Sequence, residues 1–454
     1  MGLPTLTDSQ MKGVREIADW YRSYDPSRPD FRLAGFAGTG KSTMLPTIVD
    51  HLGLDIEDIA FCAPTGKASK VMATKLKDFD IVTRTRTIHS LIYTPKRQRA
   101  EVLEQRLTGL KGQRDTLLSR DPSETTTVMS DDGGFRDLTI KERIAEIEKE
   151  IAVTDRELDK AYDDTDGPSF MLNPESDLLK KKLAIIDEGS MVGESIADDL
   201  RSFGIPLLVM GDPGQLPPVG EPPGFDLEDP DVFLSEVHRQ AKDNPIIWLA
   251  TLAREGKPLP RGVHGTDVQV IGRARDDKTT NPDLDAQVIV GTHVKRWNVT
   301  KAIRKALGYT STGPIAGEPL IVCKNSRNIP ELVNGSFVSC VDDVGDLISG
   351  DAYFSIHIED EAGVKRRVLA AQSLFEEHHL RQKGAATARK QDAFRARIER
   401  EHLDWGWAIT CHKSQGSQWD EVVVHDESGM FRDDAARWLY TAVTRAAKRL
   451  TVVV

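Results

Sequence analysis

A glycine-rich loop between a predicted strand and a predicted helix constrains this chain more than any other segment. Residues 35–43 read GFAGTGKST; they follow the apolar run 31–35 and open a helical pattern over 43–52. Glycines let backbone N–H groups turn toward a polyphosphate at a helix N-terminus, where Lys41 can reach the β and γ oxygens and Ser42 can ligate Mg²⁺. A glycine turn without a ligand is the alternative, but the Gly-Lys-Ser register favours a phosphate loop.

This loop predicts a site for ATP with Mg²⁺. Its candidate nucleotide contacts are Gly38, Thr39, Gly40, Lys41, Ser42 and Thr43. Upstream, Gln10 could offer its amide to the two hydrogen-bonding edges of an adenine, although an isolated Gln is more often a surface residue. The loop therefore predicts nucleotide binding and leaves open what the energy of hydrolysis does.

Composition predicts a soluble globular chain of two to four domains. Of its 454 residues 39% are hydrophobic, but no apolar run approaches the ~20 residues of a membrane span and the N-terminus lacks a long apolar core. The four cysteines are scattered without a Cys-x-x-Cys pair, which predicts reduced thiols in a cytoplasmic protein. The net charge of −11 does not decide the partner, because nucleic-acid enzymes can confine positive charge to one groove.

A carboxylate pair follows a second predicted strand. Residues 182–186 read KLAII, and Asp187 and Glu188 come directly after them. Carboxylates at the end of an apolar strand are unfavourable unless a cation or a reacting water lies opposite. We therefore expect Asp187 to hold Mg²⁺, directly or through water, and Glu188 to orient and deprotonate the attacking water.

A glutamine occupies the next junction between a strand and a loop. The strand predicted over 206–210 leads into GDPGQLPPV at 211–219. Gln215 could hydrogen-bond the γ-phosphate from this loop. Loss of the γ-phosphate on hydrolysis could then change the structure elsewhere in the molecule.

Two segments have the small and hydroxyl residues that suit a sugar-phosphate chain. One predicted strand leads into Pro64, Thr65 and Lys67, where backbone is exposed at the strand's carboxyl end. Thr65 could instead be only a helix N-cap. Residues 87–90, which include His89, repeat the arrangement, although a lone His is otherwise a structural residue.

Charged residues dominate from about residue 96 to 164, and the apolar positions there fall into two heptad series. The first comprises Leu103, Leu107, Leu110 and Leu117, and the second Ile140, Ile144, Ile147, Ile151 and Leu158. The two stripes flank a polar stretch with Gly133 and Gly134, which predicts an antiparallel helical hairpin inserted into the nucleotide-binding domain. A coiled coil that binds a partner and has no part in the chemistry is the alternative.

With these blocks in place, the chain resembles the superfamily 1 DNA helicases, in the 5′-to-3′ branch that includes the RecD and phage Dda enzymes. The matching blocks are DEGSMV at 187–192, GDPGQLPPV at 211–219, LSEVHRQ at 234–240, AITCHKSQGSQWD at 408–420 and WLYTAVTRA at 438–446. The C-terminal two are the most specific. The series runs from Gln10 to Arg445 in the family's order.

The resemblance implies two RecA-like P-loop NTPase domains side by side, with ATP in the cleft between them. The second domain would supply Arg239 as an arginine finger, Arg445 to the γ-phosphate, and Gly416 as a nucleotide contact. The expected catalytic residues are therefore Lys41, Glu188, Gln215, Arg239 and Arg445. Since an arginine at the developing charge speeds turnover by ~10³ to 10⁵, hydrolysis should require closure of the cleft.

The resemblance also implies that closing and opening of the cleft moves the domains along a DNA strand. The groups that alternately grip the sugar-phosphate backbone would be Thr65, Lys67 and His89 on one side, beside Pro64, and His412, Lys413 and Ser414 on the other. Contacts to phosphate do not read bases, so we expect little sequence preference.

The α/β chain is therefore expected to divide into four parts. Residues 1–92 and 176–235 would form the domain with the phosphate loop, 93–175 the helical hairpin, 236–334 and 405–454 the second RecA-like domain, and 335–404 a small SH3-like β-barrel with a helical extension over 374–402. In Dda-like enzymes the insertion is a short β-hairpin pin that splits the duplex. The longer helical pattern here leaves open whether it is a pin or a partner-binding element.

The leading hypothesis is an ATP-dependent DNA helicase that translocates 5′ to 3′ on single-stranded DNA and unwinds tailed duplex DNA. We expect a monomer in the cytoplasm of a bacterial or phage-infected cell, with single-strand-binding or other replication and recombination proteins as partners. The alternatives are a motor subunit of a helicase-nuclease or recombination complex, and a nucleic-acid-stimulated NTPase that remodels without separating strands.

Overall fold

The computed structural model divides the chain into two units. It describes residues 3–129, 135–163, 170–236, 244–272, 286–326, 329, 331–348, 353–375 and 400–454. The insertion unit is His89–Asp177, and the main unit combines Met1–Ile88 with Leu178–Val454.

The helices and strands alternate along most of the described chain. The helices are α1 (Asp8–Arg22), α2 (Leu45–Leu52), α3 (Gly66–Lys77), α4 (Ile88–Ile92), α5 (Lys96–Leu118), α6 (Ile140–Asp163), α7 (Glu194–Arg201), α8 (Pro245–Arg254), α9 (His293–Ala306), α10 (Cys411–Ser414) and α11 (Ala435–Val443). The strands are β1 (Asp30–Gly35), β2 (Ile59–Ala63), β3 (Thr85–Thr87), β4 (Tyr93–Pro95), β5 (Thr125–Met129), β6 (Phe135–Thr139), β7 (Phe170–Leu172), β8 (Leu183–Ile186), β9 (Leu207–Gly211), β10 (Val232–Leu234), β11 (Gly262–His264), β12 (Val268–Ile271), β13 (Gln287–Val290), β14 (Pro319–Val322), β15 (Phe337–Cys340), β16 (Tyr353–Asp360), β17 (Lys365–Ala371), β18 (Leu403–Trp405), β19 (Ala408–Thr410), β20 (Trp419–His425) and β21 (Ala446–Val453).

The first lobe of the main unit is built on a six-stranded parallel sheet. Its strand order is β10-β1-β9-β8-β2-β3. The apolar strands β8 and β9 are buried along their whole length, as expected for a parallel sheet with helices on both faces. Ile17 of α1, Ile48 of α2 and Met72 of α3 pack into its core. The carboxyl ends of these strands therefore lie at one edge, where the loops that follow them meet.

The second lobe repeats this architecture with a sheet in the order β11-β12-β21-β20-β13-β19. Only β11 runs antiparallel to its neighbour. Trp438 of α11 and Leu249 of α8 lie in one core against this sheet, and Val299 and Ile303 of α9 lie in another. Two mainly parallel sheets in one unit confirm the predicted α/β class.

A five-stranded antiparallel sheet in the order β17-β16-β15-β14-β18 forms the barrel. Its ends approach each other where the Ala371 N–H donates to the Glu401 carbonyl at 3.0 Å. The expected boundary at residue 335 is corrected, because β14 at Pro319–Val322 pairs with β15 and β18. The sequence of a short apolar strand does not show whether the strand belongs to a RecA-like domain or to a barrel, so the expected assignment of residues 319–322 is wrong. The extension expected over 374–402 lies mostly outside the described residues.

The insertion unit holds two long helices, α5 and α6, that pack through Leu107, Leu110, Ile147 and Ile151. The hairpin formed by β5 and β6 joins them at one end, and β4 pairs with β7 at the other. The helical pattern did not reveal this β-hairpin, because its Thr-rich first strand lies in a polar stretch. The side chain of Leu158 and the turn with Gly133 and Gly134 lie outside the described residues.

None of the helices within the described ranges combines the length and the apolar character that crossing a membrane requires.

Candidate active site and nucleic-acid interface

The phosphate loop joins β1 to a short 3₁₀ turn that continues into α2. Gly38 and Gly40 have φ angles of 82° and 77°, in the left-handed region that glycine adopts without strain. The Lys41 ammonium donates to the carbonyl oxygens of Gly35 at 2.5 Å and Phe36 at 3.3 Å. Lys41 therefore lies folded over the loop, within reach of phosphates bound there.

Gln10 is placed differently from its expected role at an adenine. Its Nε2 donates to the Thr39 carbonyl at 2.9 Å, and its Oε1 accepts from the Thr7 N–H at 2.9 Å. The side chain is only 3% exposed. The amide thus completes the N-terminal cap of α1 and bonds the phosphate loop at Thr39, and its contact with an adenine stays a prediction.

One cavity beside the phosphate loop collects most of the residues expected at the nucleotide site. Its lining includes Gly38, Gly40, Lys41, Ser42, Thr43, Asp187, Glu188, Gln215 and Gly416. Asp212 and part of α3 complete the wall. Since Gly416 belongs to the second lobe and the others to the first, the cavity is walled by both lobes.

Ser42 and Asp187 offer oxygen donors suited to Mg²⁺. The Glu188 N–H donates to Asp187 Oδ1 at 3.0 Å, which orients that carboxylate. The described residues contain no cluster of three or more metal-ligating side chains. Mg²⁺ on a triphosphate does not need one, because it takes one or two protein oxygens and completes its shell with phosphate and water. The donor set therefore fits Mg²⁺.

Glu188 has a strained backbone at the start of a 3₁₀ turn. Its φ and ψ of 56° and 40° lie in the left-handed region, which is uncommon for residues other than glycine and is often found at functional sites. Burial raises the pKa of its carboxyl above the ordinary value, as does the nearby Asp187, while Arg445 and Lys41 act in the opposite direction. A raised carboxyl pKa suits a general base.

Gln215 lines the same cavity from the loop after β9. Its side chain is only 7% exposed, and Oε1 has no hydrogen-bond partner among the described residues. Because a buried acceptor or donor without a partner is unfavourable, such an amide is suited to a ligand in the cavity. Because Oε1 only accepts, its partner in the cavity would be a donor such as water, and a contact to the γ-phosphate would have to come from the amide nitrogen; that contact stays a prediction.

Side chains of the second lobe form hydrogen bonds with the loop that carries Gln215. The Leu216 N–H donates to Thr441 Oγ1 at 2.9 Å, and Gln415 Nε2 donates to the Leu216 carbonyl at 2.9 Å. Tyr440 lies beside them and bonds the first lobe through its hydroxyl. The sequence interpretation missed Tyr440, whose only signal was its place in the C-terminal block before Arg445.

Of the two expected arginines, Arg445 is described and Arg239 lies outside the described residues. Arg445 is 6% exposed and donates to the carbonyls of Thr441 at 3.0 Å and Ser417 at 3.2 Å. Its charge also lowers the pKa of Glu188 against the effect of burial. Arg445 is thus held by its own lobe, close enough for its charge to act on the Glu188 carboxylate.

The expected DNA contacts of the first lobe are already engaged within the protein. Thr65, after Pro64, is the N-cap of α3 and accepts from the Ala68 N–H at 3.2 Å. The Lys67 ammonium donates to Glu361 Oε1 at 2.5 Å, in the turn between β16 and β17 of the barrel. The cap alternative for Thr65 is confirmed, and Lys67 meets a carboxylate where a phosphate was expected.

The expected DNA contacts of the second lobe are less accessible than their sequence suggests. Ser414 is fully buried, and its hydroxyl donates to the Cys411 carbonyl at 2.7 Å. The Lys413 ammonium is shielded from solvent near Cys323, and burial lowers the pKa of His412. The Ser414 side chain therefore stabilises the turn of α10, and a contact of this segment with a DNA strand stays a prediction.

His89 belongs to the insertion unit. Its ring lies 5.2 Å from the ring of Tyr93 and 6.4 Å from that of Phe170, measured between centroids. It is exposed, at the start of α4. The aromatic neighbours support the structural role considered from sequence, and a contact of His89 with DNA stays a prediction.

Fold and site together define a two-lobed protein with a P-loop nucleotide site. The chain belongs to the AAA domain family, whose model matches residues 6–269, more than half of the chain. Residues 406–453 also match the UvrD-like helicase C-terminal domain. These matches confirm the resemblance to superfamily 1 helicases drawn from the sequence blocks.

Known proteins similar to this chain are distant. An uncharacterized protein of Acanthamoeba polyphaga mimivirus is 27% identical over 42% of this chain and 29% of its own length, and one of Methanocaldococcus jannaschii is 43% identical over 14% and 5%. The chain therefore spans less than a third of either relative.

One similar solved structure is of two coordinating Pif1 helicases and is described as the basis for DNA unwinding at forked duplex DNA. Its TM-score is 0.50 and its sequence identity 17%, and the match covers 99% of this chain and 92% of that one. A Pif1 helicase of Candida albicans has a TM-score of 0.47 at 18% identity, over 99% of this chain and 94% of that one. At these identities the likeness concerns the fold.

Glu188→Gln should abolish ATP hydrolysis while leaving ATP binding close to wild type. The amide keeps the shape of the side chain but cannot take the proton of the attacking water. Lys41→Ala is the contrasting variant and should weaken binding as well, because it removes a charge at the phosphates. Single-turnover hydrolysis and fluorescent-nucleotide titration measure both. Appreciable turnover by Glu188→Gln would remove Glu188 as the base.

Proposed function

We propose that the protein is an ATP-dependent DNA helicase that translocates 5′ to 3′ on single-stranded DNA and unwinds duplex. The observation that carries this proposal is the nucleotide cavity walled by both lobes, with Gly416 opposite the phosphate loop. ATP held there with Mg²⁺ on Ser42 and Asp187 would draw the lobes together. Hydrolysis would release them and move one lobe along the strand relative to the other.

DNA as the track is supported by the helicase matches. The Pif1 helicases of similar fold are described as two coordinating copies that unwind forked duplex DNA. For this chain we propose a tailed duplex as substrate and a monomer as the minimal motor. It would act in the cytoplasm of a bacterial or phage-infected cell, with single-strand-binding or other replication and recombination proteins as partners.

The insertion unit supports a second candidate function. Its own core and its two long helices make it a separate compact unit, which is a suitable shape for docking a partner protein. The chain would then be the motor subunit of a helicase-nuclease or recombination complex. A nucleic-acid-stimulated NTPase that remodels without separating strands is the third alternative.

The protein should unwind a duplex that carries a 5′ single-stranded tail and leave one with only a 3′ tail intact. The reason is that a 5′-to-3′ motor must load on a 5′ tail to run toward the junction. Strand displacement with the two substrates, followed by gel or fluorescence, measures this. Unwinding from the 3′ tail alone would contradict the polarity. DNA-stimulated hydrolysis without unwinding of either substrate would favour the second or third function.

Phe135→Ala should slow unwinding several-fold while leaving DNA-stimulated hydrolysis near wild type. We propose that the β5–β6 hairpin acts as the strand-splitting pin, because Phe135 at its end is 78% exposed and an aromatic ring can stack on an unpaired base. Val153→Ala, also on the exposed surface of the insertion unit, is the matched control and should unwind normally. Equal unwinding by Phe135→Ala and wild type would exclude this ring from strand separation.

Glu361→Gln should bind single-stranded DNA about 2- to 5-fold more tightly. Glu361 holds the Lys67 ammonium at 2.5 Å, so a DNA phosphate has to compete with this carboxylate. The pair is partly exposed, with side chains 20% and 43% accessible, which keeps the expected effect small. Fluorescence anisotropy with a labelled oligonucleotide measures the affinity at several salt concentrations.

Glu359→Gln is the matched control for Glu361→Gln. Glu359 lies in β16 near the same turn and pairs with Lys365 at 3.5 Å rather than with Lys67. It should bind DNA almost as wild type does. Identical affinities of Glu361→Gln and Glu359→Gln would show that Lys67 does not exchange Glu361 for phosphate.

A further inference from the structure

The hydroxyl of Tyr440 joins three segments at the edge of the nucleotide cavity. It accepts from the Ala37 N–H of the phosphate loop at 2.8 Å and donates to Asp212 Oδ2 at 2.7 Å. Tyr440 lies in α11 of the second lobe, whereas Ala37 and Asp212 belong to the first. One hydroxyl group therefore bonds the phosphate loop and the loop after β9 from across the cleft.

The partner of Tyr440, Asp212, is a buried carboxylate in the wall of the cavity. It is 1% exposed, and besides the Tyr440 hydroxyl it accepts from the Gly214 N–H at 2.9 Å. After burial and Asp187, its charge is a further cause of the raised pKa of Glu188. A negative charge at this place repels a triphosphate unless hydrogen-bond donors compensate it. Tyr440 supplies one of the two donors.

The ring of Tyr440 is held so that its hydroxyl reaches both partners. Tyr440 is 2% exposed, and its ring meets that of Phe36 edge to face at 6.4 Å between centroids. A Cβ added at Gly214 would lie 2.9 Å from the Tyr440 ring, so the loop approaches the ring more closely than any larger residue allows. Burial and Asp212 raise the pKa of Tyr440, which keeps its proton available for donation.

We propose that Tyr440 is a positioning residue that couples closure of the two lobes to ATP hydrolysis. With the lobes together, its hydroxyl holds the phosphate loop at Ala37 and compensates Asp212. When α11 moves away, Ala37 and Asp212 lose their partner in the same step, and the cavity gains an uncompensated carboxylate beside the phosphates. The inference rests on the proposed ATP hydrolysis at this site and adds a residue that senses closure.

Tyr440→Phe tests the inference because it removes the hydroxyl and keeps the ring. The kcat of ATP hydrolysis should fall about 10- to 100-fold, as expected for losing hydrogen bonds at a buried charged group, while the KM for ATP changes less than about 3-fold. The melting temperature of the full-length protein is measured alongside. Tyr353→Phe, on an exposed tyrosine of the barrel, is the matched control and should hydrolyse ATP as wild type does.

A double-variant comparison separates positioning from a general structural role. If Tyr440 acts through Asp212, Tyr440→Phe combined with Asp212→Asn should lose no more activity than the more impaired single variant. Gly214→Ala keeps the tyrosine but would displace its ring, and with it the hydroxyl, from Ala37 and Asp212, so it should also lower kcat. A wild-type kcat in Tyr440→Phe would overturn the inference, and so would losses that multiply in the double variant.

These comparisons use hydrolysis in the absence of DNA. A wild-type protein whose hydrolysis ignores oligonucleotides would therefore count against the helicase proposal alone. The Tyr440 inference would be lost separately, by an unchanged kcat in Tyr440→Phe.

Discussion

Hydrogen bonds from side chains of the second lobe hold the loop that follows β9 in the first lobe. Both the N–H and the carbonyl of Leu216 are bonded by side chains of the second lobe, those of Thr441 and Gln415. The same loop carries Gln215 and Asp212 into the nucleotide cavity. Because these bonds join the two lobes, the geometry of the site depends on how the lobes are arranged, and the proposed coupling of hydrolysis to movement rests on this dependence.

Close backbone approach and backbone strain both occur at this cleft. Glu188 holds a left-handed conformation, which costs about 1–3 kcal/mol and persists only where the surrounding structure imposes it. Gly416 has φ of 72°, and a Cβ there would lie 2.8 Å from that of Ala68 in the other lobe. Gly416 thus allows the two lobes to approach closely. Glu188, with its strained backbone, follows the end of β8 and lines the cavity between the lobes.

Two lysines expected to contact DNA lie against other parts of the protein. Lys67 pairs with Glu361 of the barrel, and Lys413 lies shielded near Cys323. Lys70 similarly donates to the Glu331 carbonyl at 2.9 Å. Lys67 and Lys70 thus meet acidic and polar groups of the protein itself. Single-stranded DNA would have to exchange these contacts for phosphates, so its binding and the arrangement of barrel and lobes are linked.

The sequence by itself determined the phosphate loop, the carboxylate pair at Asp187 and Glu188, and the alternation of strands and helices, because these depend on residues close together in the chain. It also predicted the two helices of the insertion from their heptads. Only the tertiary structure decided the barrel's first strand and the hydrogen-bond partners of Gln10 and Tyr440. The physical reason is distance along the chain: Tyr440 and Ala37 bond across 403 positions, and no local pattern records such a partner.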